Sequence, residues 1–440
     1  MHLLAGEVGR IDAGDAAVDL GQSPGDIVVL SAADTELTLL ALAARASATG
    51  PSLRLCNLMR LSHPMSIDLY VEKTAARAKL VVVRMMGGAG YWPYGLDRLR
   101  ALARGGGPRL IVVPGDDRWD EGLEAFTTEK PETSRRLWQY LVEGGADNAA
   151  RALAFMAGLI GTANVAGEPA VLPRFGCYRP GEGVTSLEAA VAALPHGQPV
   201  APIIFYRSIL QGGATAPIDA LAAALAAEGI AALPLFVASL KDGDSSDFLR
   251  AAFEAAPPAV VLNTTAFAVS AIGASHRGTV LDAPRRPVLQ LILAGSSEAE
   301  WRESPRGLLP RDLTMNVVLP EVDGRIGTRA VSFKAEAYDA ATDSRISTYE
   351  PVADRVRFVA AQAAAWVRLG AKPAKERRVA IVLSNYPNRE SRIGNAVGLD
   401  TAASAIRIFE AMKLAGYSTS GFPRDSEALI ASLTVGVPVD

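Results

Sequence analysis

Short, almost wholly apolar runs set the strongest limit on how this chain can fold. They are DIVVL (26–30), LVVVR (80–84), LIVV (110–113), PVAPIIFY (199–206), AALPLFV (231–237) and VLQLIL (288–293). Each has the length of a strand, and none alternates apolar with polar residues. A strand without that alternation is buried on both faces, which is the condition of a parallel strand between two layers of helix. Ala- and Leu-rich stretches of helical length separate the runs, as in Pro217–Ala227. The expected fold class is therefore α/β: successive doubly wound, mostly parallel α/β domains with helical connections, the last domain incomplete.

Local signals fill in this outline. Ser31-Ala-Ala-Asp34 resembles a capping box ahead of a helix that runs to about Ala48. Ser62 or His63 is expected to cap a helix with Pro64 at its first position. Two helices are expected across 131–162, around EGGADN (143–148). Further on, Asn316–Leu319 reads as a strand followed by the turn PEVDGRIG (320–327). Val379–Leu383 reads as a buried strand that enters a polar loop, with a helix starting near Asp400 or Thr401 and Gly416 as its stop. The resulting division is 1–165 for an amino-terminal α/β domain with a helical extension and 166–198 for a linker. A second α/β domain spans 199–350, a helical connection and basic hinge 351–377, and the truncated start of a third α/β unit 378–440.

Charge and composition exclude several function classes. The net charge of −3 argues against nucleic acid or an acidic membrane surface as partner. The Ile218–Leu240 stretch is apolar but is interrupted by Glu228, Gly229 and Pro234, so no membrane span is expected. The amino terminus lacks the pattern of a signal peptide, and the two cysteines, Cys56 and Cys177, form no CxxC pair. A cytoplasmic protein without a metal site of its own is the expectation. No GxxxxGK[ST] occurs, and the Gly87–Gly95 loop fails GxGxxG because Pro93 stands at the last glycine. ATP, if the reaction needs it, must then be bound by another polypeptide.

Candidate ligand residues lie in loops at predicted strand ends, where α/β sheets place their sites. Tyr206-Arg207 opens one loop, and a guanidinium there suits a carboxylate. Glu321, Asp323 and Gly324 lie in a turn with two carboxylates, able to hold a cation or accept hydrogen bonds. In the loop of 385–400, Asn385, Tyr386, Arg392 and Asn395 offer donors. Gly394 and Gly398 allow close backbone approach, and Asp400 closes the loop. Catalytic residues are not identifiable: the four histidines have no metal-ligand spacing, and GxSxG is absent.

The 378–401 stretch, RVAIVLSNYPNRESRIGNAVGLDT, carries a family resemblance. Together with PEVDGRI, IIFYRSILQGG, FVASLKD, RDLTMNV, IVVPGDD and LWQYLVEGGADN, it resembles the large subunit of aerobic cobaltochelatase of the CobN type. More distantly it is similar to the magnesium chelatase large subunit. The resemblance runs over essentially the whole chain, as the amino-terminal part of a longer protein. It implies a tetrapyrrole-binding subunit of an ATP-dependent ligase of cobalamin biosynthesis. That enzyme inserts cobalt(II), a substrate, into hydrogenobyrinic acid a,c-diamide. ATP and magnesium would be bound by partner subunits, an AAA+ ATPase and a subunit with an integrin-like domain. The 440 residues alone are expected to be inactive. The alternatives are a magnesium chelatase large subunit-like protein, or a docking or ligand-binding fragment without catalytic activity.

Overall fold

A computed structural model of the chain describes residues 16–47, 50–162, 166–271, 278–383, 394 and 398–434. The chain divides into two compact units, Met1–Ala363 and Ala364–Asp440.

The first unit contains two sheets. In the smaller, β1 (Ile27–Ser31), β2 (Leu53–Asn57), β3 (Leu80–Met85) and β4 (Arg109–Pro114) are all parallel, in the order β2-β1-β3-β4. Side chains of a strand alternate between faces, and here both faces are apolar. From β3, Val81 and Val83 pack with Ile67 of the crossover helix Pro64–Lys73 and with Leu96 and Leu99 of Pro93–Arg104. Leu80 and Val82 pack on the opposite face with Leu37 and Leu40 of helix Asp34–Ala46, and with Leu137 and Ala152 of helices Pro131–Glu143 and Gly145–Leu159. The sheet is doubly wound, and its strand order reverses between β1 and β3.

The larger sheet has eight strands in the order β12-β11-β10-β9-β7-β8-β5-β6. Its centre is parallel: β7 (Val200–Tyr206), β8 (Ala231–Val237), β9 (Val261–Asn263), β10 (Val288–Leu293) and β11 (Ile326–Asp339). Antiparallel strands close both edges: β12 (Ser344–Pro351) pairs with β11, and β5 (Gly176–Arg179) joins β8 to β6 (Gly183–Thr185). The order reverses at β7, between β8 and β9.

The β11–β12 hairpin fastens the two sheets together. Ile346 of β12 enters the core of the smaller sheet, and Thr38 donates to the Ser347 carbonyl at 2.8 Å. Arg45 binds Asp339 at 2.7 Å.

In the second unit, helix Thr401–Leu414 is capped by Asp400, whose Oδ1 accepts from the Ala403 amide at 2.9 Å. Gly416, at φ 84°, ends it. A final helix spans Ser426–Thr434, and Phe409 stacks on Phe422.

Four local expectations are corrected. Asn316–Leu319 is not a strand: Pro310–Leu313 starts a helix that continues through a π-helical turn, Thr314–Val318, into Leu319–Val322. Val379–Leu383 is not a strand either, and Val382 is 91% exposed. A strand needs a neighbour for its hydrogen bonds, and the described residues of this unit contain no other. The stretch 166–198, expected as a linker, supplies β5, β6 and helix Leu187–Ala192. Ser31 forms no capping box; the helix begins at Asp34, and the Ser31 hydroxyl accepts from the Ala33 amide and donates to Glu36.

Candidate functional site

The carboxyl ends of both sheets open on one cavity of about 650 Å³ within the first unit. Such a place, outside strand ends at a reversal of strand order, is where α/β proteins bind ligands, and the volume lies within the roughly 300–1,000 Å³ of small-molecule sites. The segment after β1 contributes Ala33 and Asp34, the end of β7 and the residue after it Tyr206 and Arg207, and the segment after β8 Ser239 and Lys241. The segment after β9 contributes Thr264 and Phe267. The helix of 310–322 contributes Arg311, Asp312, Met315 and Asn316, and the hairpin adds Lys334 and Tyr349. The π-helical turn that carries Met315 and Asn316 is a type of irregularity frequent at functional sites.

A buried polar network shapes the cavity from behind. Asn263 donates to Gln290 at 2.8 Å, and Gln290 donates to the Thr265 carbonyl at 3.0 Å. Arg325 donates to Gln290 and to Asp323, at 3.2 and 2.8 Å. Asp323 in turn accepts from the amides of Val269 and Ser270, at 2.7 and 3.0 Å. Burial opposes its ionisation, but these two amides and Arg325 outweigh that and hold the carboxyl below its usual range. The 265–270 segment is thereby fixed in an unfavourable shape: Phe267 has φ 66° and donates its amide to the Met315 carbonyl at 2.9 Å. A bulky residue in the left-handed region is strained and persists only where its surroundings impose it.

The charges on the cavity are mixed. Asp34 and Lys334 stand 3.9 Å apart, and Asp34 also accepts from Asn57 at 2.5 Å. Asp312 accepts from the Gly295 amide at 2.9 Å, and burial raises its carboxyl above the ordinary value. Tyr349 is likewise pushed up, first by burial and then by the charge of Asp312. Among the described residues, no three His, Cys, Asp or Glu are placed to hold a metal ion. Both thiols are buried, with Cys56 pushed up to about 12 and Cys177 to about 11 by burial. Neither is a nucleophile at neutral pH.

The residues singled out in the sequence fall into three groups. Tyr206 and Arg207 line the cavity, but both are already engaged. Tyr206 donates to the Ala266 carbonyl at 2.8 Å. Arg207 donates to the carbonyls of Leu172 and Pro173 and to Glu143, at 2.8, 2.9 and 3.2 Å. Burial lowers its basicity and Glu143 partly restores it, so its guanidinium holds the 172–173 segment in place. Glu321 and Gly324 are exposed and do not line the cavity, and Asp323 lies behind it. Gly394, Gly398 and Asp400 belong to the second unit. Both glycines have positive φ, 71° and 75°, and Asp400 is the helix cap described above. Asn385, Tyr386, Arg392 and Asn395 lie outside the described residues.

Asp34, Lys241, Arg311, Asp312 and Lys334 were not singled out in the sequence. Three of the quoted stretches carry four of them: Ser31-Ala-Ala-Asp34 holds Asp34, FVASLKD holds Lys241, and RDLTMNV holds Arg311 and Asp312. A charged residue just past an apolar strand was the available signal for Lys241. Nothing in the spacing joins the others.

This architecture defines a double-sheet α/β protein with a cavity at the carboxyl ends of the strands of both sheets. The family described as CobN/Magnesium Chelatase matches residues 138–439, and the chain belongs to that family. It is 48% identical to the aerobic cobaltochelatase subunit CobN of Sinorhizobium sp., over 99% of this chain and 35% of that protein. It is 41% identical to the subunit of the same name from Pseudomonas aeruginosa, over 100% of this chain and 35% of that protein. The catalytic subunit of cobaltochelatase from Mycobacterium tuberculosis has a similar structure: TM-score 0.68, 29% identity, 92% of this chain and 32% of that one. The chain spans about a third of the length of these relatives.

Proposed function

We propose that this chain is the tetrapyrrole-facing portion of a cobaltochelatase large subunit, and that its cavity receives one edge of hydrogenobyrinic acid a,c-diamide. The complete enzyme would insert cobalt(II), a substrate, into that macrocycle. ATP and magnesium would act on partner subunits, an AAA+ ATPase and a protein with an integrin-like domain. The observation that carries this reading is the cavity itself. It joins two sheets, and its lining mixes apolar surface with cations and acceptors that match the arms of a polycarboxylate macrocycle. A cavity already formed without ligand suits the role, since a preformed pocket loses little ordering entropy on binding. The absence of a phosphate-binding loop in the sequence agrees with a motor on another polypeptide.

An absorbance titration of the 440-residue chain with hydrogenobyrinic acid a,c-diamide tests the proposal. Saturable binding that Lys334→Glu weakens is the expected result. Binding of protoporphyrin IX in its place would transfer the reading to the magnesium chelatase branch.

A further inference from the structure

The two edges of β11 are unequally used. From Ser332 to Asp339 it pairs with β12, and the outer edge of β12 is itself engaged, since the Ser347 carbonyl accepts from Thr38. On the other edge, β10 and the residues after it accompany β11 only part of the way. The last bonds there run from the Ala294 amide to the Ser332 carbonyl and from the Lys334 amide to the Ser296 carbonyl, both at 2.9 Å. A capping box between Ser297 and Glu300 then turns the chain into helix Glu298–Glu303 and away from the strand. In an extended strand, the amide and carbonyl of one residue point to one edge and those of its neighbours to the other. Glu336 and Tyr338 therefore present theirs on the edge of Ser332 and Lys334, beyond the point where that edge is paired. Among the described residues, neither has a backbone hydrogen bond there, and both are exposed. An open edge of this kind is a template for another strand.

A groove of about 480 Å³ runs beside this edge. Phe333, Ala335 and Val352 give it apolar surface, and Glu298, Glu336 and Glu350 give it three carboxylates. Glu298 is paired with Arg302, whereas Glu336 and Glu350 form no ion pair among the described residues. Lys334 is the one cation on this lining, and it pairs with Asp34 of the cavity instead. The groove is thus left with unbalanced negative charge. Two copies of the chain joined edge to edge would bring their Glu336 carboxylates together, which is unfavourable. A positively charged strand meets no such penalty.

The geometry points to the open edge of β11 as a docking site for an extended, basic segment of a partner protein, which adds a strand to the larger sheet at Glu336–Tyr338. Backbone bonds to these two residues supply the pairing. Phe333 and Glu336 stand on opposite faces of β11, so the added strand turns apolar side chains to the groove and basic ones to Glu336. This site is independent of the corrinoid reading and stands or falls without it.

Fluorescence anisotropy of a short labelled peptide of alternating lysine and valine, titrated with the 440-residue chain, tests the proposal. Saturable binding is expected, at least about tenfold tighter than that of the glutamate–valine counterpart. The same lysine–valine peptide methylated at every backbone nitrogen keeps its charge but cannot donate, and should bind at least about tenfold more weakly. Glu336→Pro removes one outward amide and leaves the ladder with β12 intact, since proline is tolerated where a strand N–H faces solvent. It should weaken binding of the unmethylated peptide to a similar degree. Glu336→Lys keeps every backbone group and should erase the preference for the basic peptide. No saturable binding, equal binding of the methylated peptide, or binding unchanged in both variants overturns the proposal. A dimer in analytical ultracentrifugation that Glu336→Pro dissociates would assign the edge to a second copy and overturn it too.

Discussion

Arg325 donates from Nη2 to Asp323 Oδ2 at 2.8 Å, and neither side chain is more than 1% exposed. The pair links three segments: the turn before β11, the β10 glutamine Gln290, and the Val269–Ser270 amides beside the cavity. A buried ion pair is weak evidence for net stability, but removal of one member leaves the other charge uncompensated. Asp323→Ala is therefore expected to cost about 3–5 kcal/mol, measured as a lowered urea midpoint of the first unit. A loss below about 1 kcal/mol would show that water replaces the carboxylate without penalty.

The pH dependence follows from the carboxylates held below their ordinary values. Hydrogen bonds from Ser52, followed by Lys79, bring Asp26 to about 2. A depressed folded value means stability that is complete above the unfolded value and lost as pH falls through the folded one. For Asp26 that window runs from about 4 down to about 2. Melting temperature should fall across it, and Asp26→Asn should make that fall shallower while lowering stability at neutral pH.

Gly144 joins the helices Pro131–Glu143 and Gly145–Leu159 at φ 64°, and a Cβ there would lie 2.8 Å from the Gln211 carbonyl oxygen. Gly144→Ala combines left-handed strain with a backbone clash. A loss of at least about 1–2 kcal/mol is expected, together with weaker ligand binding, because Gln211 lines the cavity. Differential scanning fluorimetry and the corrinoid titration measure the two effects.

Phe267 presents the opposite case. Phe267→Gly releases about 1–2 kcal/mol of left-handed strain, which offsets the loss of a half-buried ring. The melting temperature should not fall, whereas corrinoid affinity should drop severalfold, because the ring lines the cavity. A large drop in melting temperature would mean that the ring's packing outweighs the strain.

In the second unit, Asp400→Ala removes the cap on helix Thr401–Leu414. The expected cost is about 1 kcal/mol, visible as faster hydrogen exchange at the Ala403 and Ser404 amides.

What the sequence disclosed follows from the range of the forces involved. β3 was legible because every residue from Leu80 to Met85 is buried, so neither face needed polar residues. The cap at His63 was legible because it is local: its Nδ1 accepts from the Met65 amide two residues on. Asn316–Leu319 misled because a short apolar run has no periodicity that separates strand from helix, and the Pro310 start that favours a helix lies outside it. Val379–Leu383 has a strand's composition, but pairing depends on a partner strand. The cavity was the least legible part. Asp34 and Lys334 are 300 residues apart, and Arg207 is engaged by carbonyls 34 and 35 residues upstream. Only the folded chain brings such groups together.

A macrocycle seated by one edge in the cavity would shield the backbone that borders it. Hydrogen exchange of the 440-residue chain with and without hydrogenobyrinic acid a,c-diamide tests it most directly. Slowed exchange is expected at the amides of 264–269 and 311–316, which border the cavity. Saturable binding that leaves both segments unprotected would contradict it.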